Sequence, residues 1–246
     1  MGGVTASNAA DDRAAVDRLV FFSDAVFAIA ITLLVLDLRL PDELARAGDA
    51  GLLDALAALG PSIFAFVLSF AVISAFWIGH FRTFRTIVRL DNRLVALNLL
   101  FLGCVALLPF PTSIVAHHGD LPSAAVVYAV FQFGTSLLST LTWVYPAQIA
   151  HLVPAGVTPE LARAVTNRAL IVPLLFLISI PVALLVSPLL AEAVWICSFP
   201  AQALLTRHYR LSRILEVSTT PTSAIAATPA APAAPAGCAG LGDDAS

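Results

Sequence analysis

The 246-residue chain is 59% hydrophobic and only 12% charged, about half the charge that solvates an ordinary globular domain, so folding in water would leave large apolar patches uncovered. Its net charge of −3 offers no basic surface for a polyanion and excludes a nucleic-acid partner. All 13 basic residues are arginine, and Cys104, Cys197 and Cys238 are too scattered for a disulfide framework or a zinc site.

In chain order, residues 1–16 read as a cytoplasmic segment, unordered at least from Met1 to about Asp12. Asp11, Asp12 and Asp17 mix with Arg13 and Arg18, and no small-residue cleavage site follows the apolar run. That pattern does not suit a signal peptide, so the first run is expected to remain as a membrane helix. Crossing the hydrocarbon core takes about 20 largely apolar residues. Segments of that kind run from about Arg18 to Leu40, Leu59 to His80, Arg93 to Ala116 and Pro122 to Tyr145. The stretch from Ala169 to Thr206 carries only Glu192 as a charge and is long enough for two more spans around a tight "SPLLAE" turn. Pro109, Pro173, Pro181 and Pro200 fall in or near these helices, where neighbours can re-satisfy freed carbonyls.

Sidedness follows from arginine. If six spans alternate, Arg13, Arg18, Arg82, Arg85, Arg89, Arg93, Arg163, Arg168, Arg207, Arg210 and Arg213 all share one side. Only Arg39 and Arg46 fall opposite, among Asp37, Asp42, Glu43, Asp49 and Asp54. Positive-inside bias then places both termini in the cytoplasm. The expected architecture is an all-α polytopic membrane protein, with six transmembrane helices over residues 17–210 in the inner membrane. Residues 211–246, rich in Ala, Pro, Ser and Thr, bury too little to order and read as a disordered cytoplasmic tail.

The first span carries an acid, Asp24, just inside its leading end. A carboxylate there gains from the positive end of the helix dipole by up to about 1 kcal/mol, and a helix-end acid is one reading of it. An ionisable group inside a span otherwise calls for a named partner. Antiparallel topology supplies one, because the end of the second span, "FWIGHFR", lies level with the start of the first. Trp77 and His80 then share a depth with Ser23 and Asp24, and Asn98 stands about one turn into the third span. A network of Arg18, Ser23, Asp24, Trp77, His80 and Asn98 could lock the helices together; His80 as a simple helix-end residue is the alternative. Further along, Ile29, Thr32 and Leu36 share one helix face, which periodicity alone assigns equally to lipid, to packing or to a pore.

The segment "RLVFFSDAVFAIAITLLVLDLRLP" resembles the RxxxFSD signature of the transmembrane protein 175 family of potassium channels, including the Thr eight residues after the Asp and the closing proline. "WIGH" and "LLPFPTS" echo the same family. The resemblance implies a homotetramer of one six-helix unit per chain, with the first helices lining a central pore and no backbone-carbonyl filter. It implies a constriction at Ile29, with Thr32 and Leu36 as further layers, and a supporting role for Arg18, Phe22, Ser23 and Asp24 through the network above. The expected function is passive potassium conduction, with proton conduction or secondary transport as the alternative.

An enzyme fits poorly. His80, His117, His118, His151 and His208 accompany no HExxH, P-loop or GxSxG pattern, and the "HHGD" pair at the outer end of the third span suits a loop more than a metal site. No cofactor or metal is expected; the partners are potassium ions, the lipid bilayer and further copies of the chain. Transporters favour broken helices with charges at the midplane, whereas the middle of every span here is uncharged.

Overall fold

The computed structural model describes residues 2–40, 48–154 and 156–196, all within one compact unit. The expected tail, Arg207, Arg210 and Arg213, the Pro41–Arg46 stretch, Cys197, Cys238, Pro200, His208 and the end of the sixth span lie outside the described residues.

Helix α1 spans Gly2–Leu33 and tightens into a 3-10 turn over Leu34–Asp37. The segment expected to be unordered up to Asp12 is instead helical from Gly2. Alanines at 6, 9, 10, 14 and 15 favour helix, and no proline interrupts them. Val16 is also buried against Phe84, Ile87, Leu94 and Leu152, so packing as well as propensity extends the helix. At 1.5 Å per residue the 32 residues of α1 run to about 48 Å, well beyond the roughly 30 Å of a hydrocarbon core.

A short helix α2 (Gly48–Ala58) leads into α3 (Gly60–Phe84), whose Pro61 sits in the first turn where a missing N–H costs nothing. Helix α4 (Asn92–Leu107) begins at Asp91, whose carboxylate accepts the Leu94 N–H at 2.8 Å as an N-cap. Pro109 cannot continue the α4 ladder, so the chain re-starts as α5 (Pro109–His118). Together the two pieces form the third expected span. Helix α6 (Pro122–Val144) ends in a π turn at Tyr145–Ile149. Thr158 caps α7 (Pro159–Ala169), which leads into α8 (Ile171–Leu185). A ninth helical stretch, α9, occupies 188–196.

Among the described residues, five segments are long and apolar enough to cross a membrane: Ala10–Asp37, Gly60–Phe84, Asn92–His118, Pro122–Ile149 and Pro159–Leu185. They match the first five expected spans, and α9 stands where the sixth would begin. The chain is thus an all-helical, multi-pass membrane protein.

Helix α1 rests on α3 and α4, α3 on α5, α4 on α6, and α6 on α8. Phe27, Ala30 and Leu34 of α1 pack with Val72, Ile73 and Phe76 of α3 and with Phe101, Leu102 and Val105 of α4. A second core joins Leu68, Tyr128, Ala129, Phe176 and Trp195. The buried side of α1 is set by these contacts; its other side is left uncovered by the described residues.

Candidate functional site: the α1, α3 and α4 junction

Helices α1, α3 and α4 meet at the arginine-bearing end of the bundle, and there the polar residues of α1 find their partners. Ser23 is wholly buried; its hydroxyl donates to the Leu19 carbonyl one turn back at 2.8 Å. With that proton committed, its oxygen is free to accept, and the Asn98 side-chain amide of α4 donates to it at 3.1 Å. The amide oxygen of Asn98 then faces His80 Nε2 of α3 at 2.9 Å. Because that oxygen can only accept, His80 carries its proton on Nε2. The result is a one-way chain from His80 through Asn98 and Ser23 to the Leu19 carbonyl, tying three helices together.

The imidazole is enclosed by aromatic rings. Phe84 stacks on it with centroids 4.3 Å apart, and Phe27 and Phe101 lie at 5.6 and 6.1 Å. Among the described residues nothing bonds to its Nδ1. A second, shallower link stands beside this chain: the Trp77 indole N–H donates to the Asp24 carboxylate at 2.8 Å. Trp77 remains 39% exposed, so this link sits at the edge of the bundle.

Of the residues expected to form one network, the structure brings Ser23, Asn98 and His80 together and pairs Asp24 with Trp77. It does not bring Arg18 or Phe22 into either group. Arg18 is exposed and Phe22 is 52% exposed, and both lie on the uncovered side of α1. Arg18 is six residues from Asp24, well around the helix from it. Ile29 and Leu36, 59% and 58% exposed, and Thr32, also exposed, continue that side. The positions 18, 22, 25, 29, 32 and 36 alternate in steps of four and three, a straight stripe along the helix. Thr32 donates its hydroxyl proton to the Ile29 carbonyl three residues back at 2.9 Å, leaving its oxygen free to accept.

Sequence reasoning missed the Leu19 carbonyl as the end of the chain and the rings of Phe27, Phe84 and Phe101. A signal was there: Phe27 follows Ser23, and Phe84 follows His80, by one helical turn each. It also missed Tyr145, whose hydroxyl bonds Asp91 and ties the π turn to the start of α4.

This architecture defines a class: a multi-pass helical membrane protein in which one helix is held from behind by buried polar contacts and keeps a continuous stripe uncovered among the described residues. Comparison with known proteins narrows it. Residues 18–109 match the family model for the endosomal/lysosomal potassium channel TMEM175. Potassium channel B446_29190 of Streptomyces collinus is 37% identical over 180 residues, covering 72% of this chain and 86% of that one. Potassium channel Cha6605_3372 of Chamaesiphon minutus is 34% identical over 173 residues, covering 69% and 85%. The crystal structure of a lysosomal potassium-selective channel TMEM175 homolog from Chamaesiphon minutus superposes with a TM-score of 0.67 at 32% identity, covering 78% of this chain and 97% of that one. The chain belongs to the TMEM175 family, a prokaryotic member of a family of ion channels and not of enzymes.

Proposed function

We propose that this potassium channel conducts passively through a central pore, lined by the uncovered stripe of α1 from four copies of the chain. The observation that carries the proposal is the division of α1 into two sides. One side is pinned to α3 and α4 by Phe27, Ala30, Leu34 and the Ser23–Asn98–His80 chain. The other carries Ile29, Thr32 and, in the 3-10 turn that continues the helix, Leu36, all exposed and with no partner from another element among the described residues. A helix so held resists rotation, which is what a pore without a carbonyl filter requires of its lining.

Rings of Ile29 form the constriction. An apolar ring gates by dewetting and admits potassium, which sheds water more easily, ahead of sodium. Thr32 presents oxygen lone pairs because its proton is committed to Ile29, and these replace part of the hydration lost at the constriction. Arg18 and Phe22, on the same stripe, stand at the pore entrance. The arginine-rich end faces the cytoplasm of an inner membrane, with both termini on that side, by the positive-inside rule.

The test is current through purified protein in a planar bilayer under a potassium/sodium gradient, wild type beside Ile29→Asn. A reversal potential favouring potassium, shifted by the substitution, supports the assignment. An unchanged reversal potential in Ile29→Asn places the constriction elsewhere, and absence of current from verified tetramers overturns the pore.

A further inference from the structure

One stripe of α3 is used neither by the core nor by the hydrogen-bonded chain. Trp77, Phe81 and Arg85 follow one another at four-residue intervals and so lie along one side of the helix. They touch in series: the Arg85 guanidinium stands 5.4 Å from the centre of the Phe81 ring, and Phe81 stacks on Trp77 with centroids 5.9 Å apart and planes 23° from parallel. Trp77 in turn donates to Asp24 of α1. Arg82 and Ile78 flank the stripe, and all five residues, four in α3 and Arg85 just past its end, are exposed. Among the described residues no carboxylate lies within ion-pair distance of Arg82 or Arg85.

Two arginines without counter-charges, set just past a Trp–Phe stack at the end of an apolar span, match the chemistry of the bilayer's polar boundary. Amphipathic rings settle at headgroup level, and basic side chains immediately beyond a span attract anionic headgroups. Arginine's planar fork suits a phosphate, which it can hold by two parallel bonds. Resting on the reading that this end of α3 leaves the bilayer on the cytoplasmic side, we infer that Arg82 and Arg85 form a docking site for the phosphate of an anionic glycerophospholipid of that leaflet. Occupancy is passed through Phe81 and Trp77 to Asp24 on the pore-lining helix. A bound headgroup fixes Arg85 over Phe81, the aromatic stack fixes the Trp77 indole, and its hydrogen bond fixes Asp24 five residues before Ile29. The site therefore biases the pore helix through Asp24, next to the Ser23 at which the buried chain reaches the same helix.

The experiment uses the full chain in vesicles of phosphatidylcholine alone or mixed with phosphatidylglycerol, with two readouts. Native mass spectrometry counts retained phosphatidylglycerol, and potassium efflux measures conduction. Wild type is expected to retain phosphatidylglycerol and to conduct faster in the mixed vesicles. R82Q/R85Q is expected to lose roughly 25-fold in lipid affinity, about fivefold per arginine, while conducting like wild type in phosphatidylcholine alone. Phe81→Ala is expected to keep the lipid and lose its effect on efflux. Equal retention by wild type and R82Q/R85Q overturns the site, as does an equal response to soluble glycerol phosphate. A lipid response surviving in Phe81→Ala overturns the coupling. Efflux failing in every vesicle would overturn the proposed pore instead, leaving the lipid site to be decided by mass spectrometry.

Discussion

Asn98 is the residue on which the junction turns. Its amide donates to Ser23 and accepts from His80 in opposite directions, a task no hydroxyl or carboxylate performs in the same way. Asn98→Leu would preserve bulk and strand two buried polar groups, the His80 N–H and the Ser23 oxygen. Stranded groups cost about 1–3 kcal/mol each in proteins, although hydrogen bonds between membrane helices average nearer 0.6 kcal/mol. The expected outcome is a lower melting temperature of the detergent-solubilised protein, with a larger drop for Asn98→Leu than for Ser23→Ala. In the latter, the Leu19 carbonyl keeps its place in the helix ladder. Thr32 would work differently in the proposed pore, where its contribution is a lone pair. Thr32→Ala is expected to lower the preference for potassium over sodium in bi-ionic reversal potentials without altering protein stability; an unchanged preference would remove Thr32 from the permeation path.

At the scale of elements, the arginine-rich end is held by a collar along the packed side of α1. Val88 N–H donates to the Leu152 carbonyl at 3.0 Å, and Leu152 N–H to the Pro146 carbonyl at 2.9 Å, stitching the α3–α4 loop to the π turn. Asp91 joins the same two elements, capping α4 with one oxygen and accepting the Tyr145 hydroxyl with the other. Partial desolvation pushes its carboxyl upward, but the Tyr145 hydroxyl, the Leu94 N–H and the neighbouring Arg93 outweigh that and hold it below the usual carboxylate range. A depressed acid stabilises the fold above its unfolded-state pKa and loses that contribution as the pH falls through its folded-state value. Asp91→Asn is therefore expected to melt below wild type at neutral pH. The gap should close under acid conditions beyond the ordinary carboxylate range, where wild-type Asp91 is itself protonated. A gap that persists unchanged there would mean that shape, not charge, makes the collar. The collar also explains why α1 stays helical so far before the span: Val16 is buried by the same loop.

For the whole molecule, the outward stripe of α1 is the feature that the proposed tetramer would cover. Phe27 is 1% exposed and Ile29 59% exposed, though two residues apart on the same helix. If four α1 helices surround an axis, cysteine at the outward position meets its counterpart and cysteine at the inward one does not. On a background with the three native cysteines changed to serine, Ile29→Cys is expected to yield covalent dimers on mild oxidation in membranes. Phe27→Cys is expected to stay monomeric on the same gel. Cross-linking equally strong at both positions, or at neither, would count against an axis along α1.

Much of this protein was legible in the chain because its solvent is lipid. Span length and hydropathy are counted along the sequence, so five expected spans reappear as the apolar helices from Ala10 to Leu185. The one-sided arginines and the RLVFFSD segment were equally local, and they pointed to the family before any fold was known. Depth was legible too, since antiparallel helices of known length put Ser23, Trp77, His80 and Asn98 at one level. Rotation was not. Which way each helix turns depends on the packing of Phe27 and Phe101 against their neighbours, and that packing sent Arg18 and Phe22 outward while carrying Ser23 in. Tertiary structure alone likewise set the direction of the hydrogen bonds, and with it the proton on His80 Nε2, because a donor is defined only by what stands opposite it.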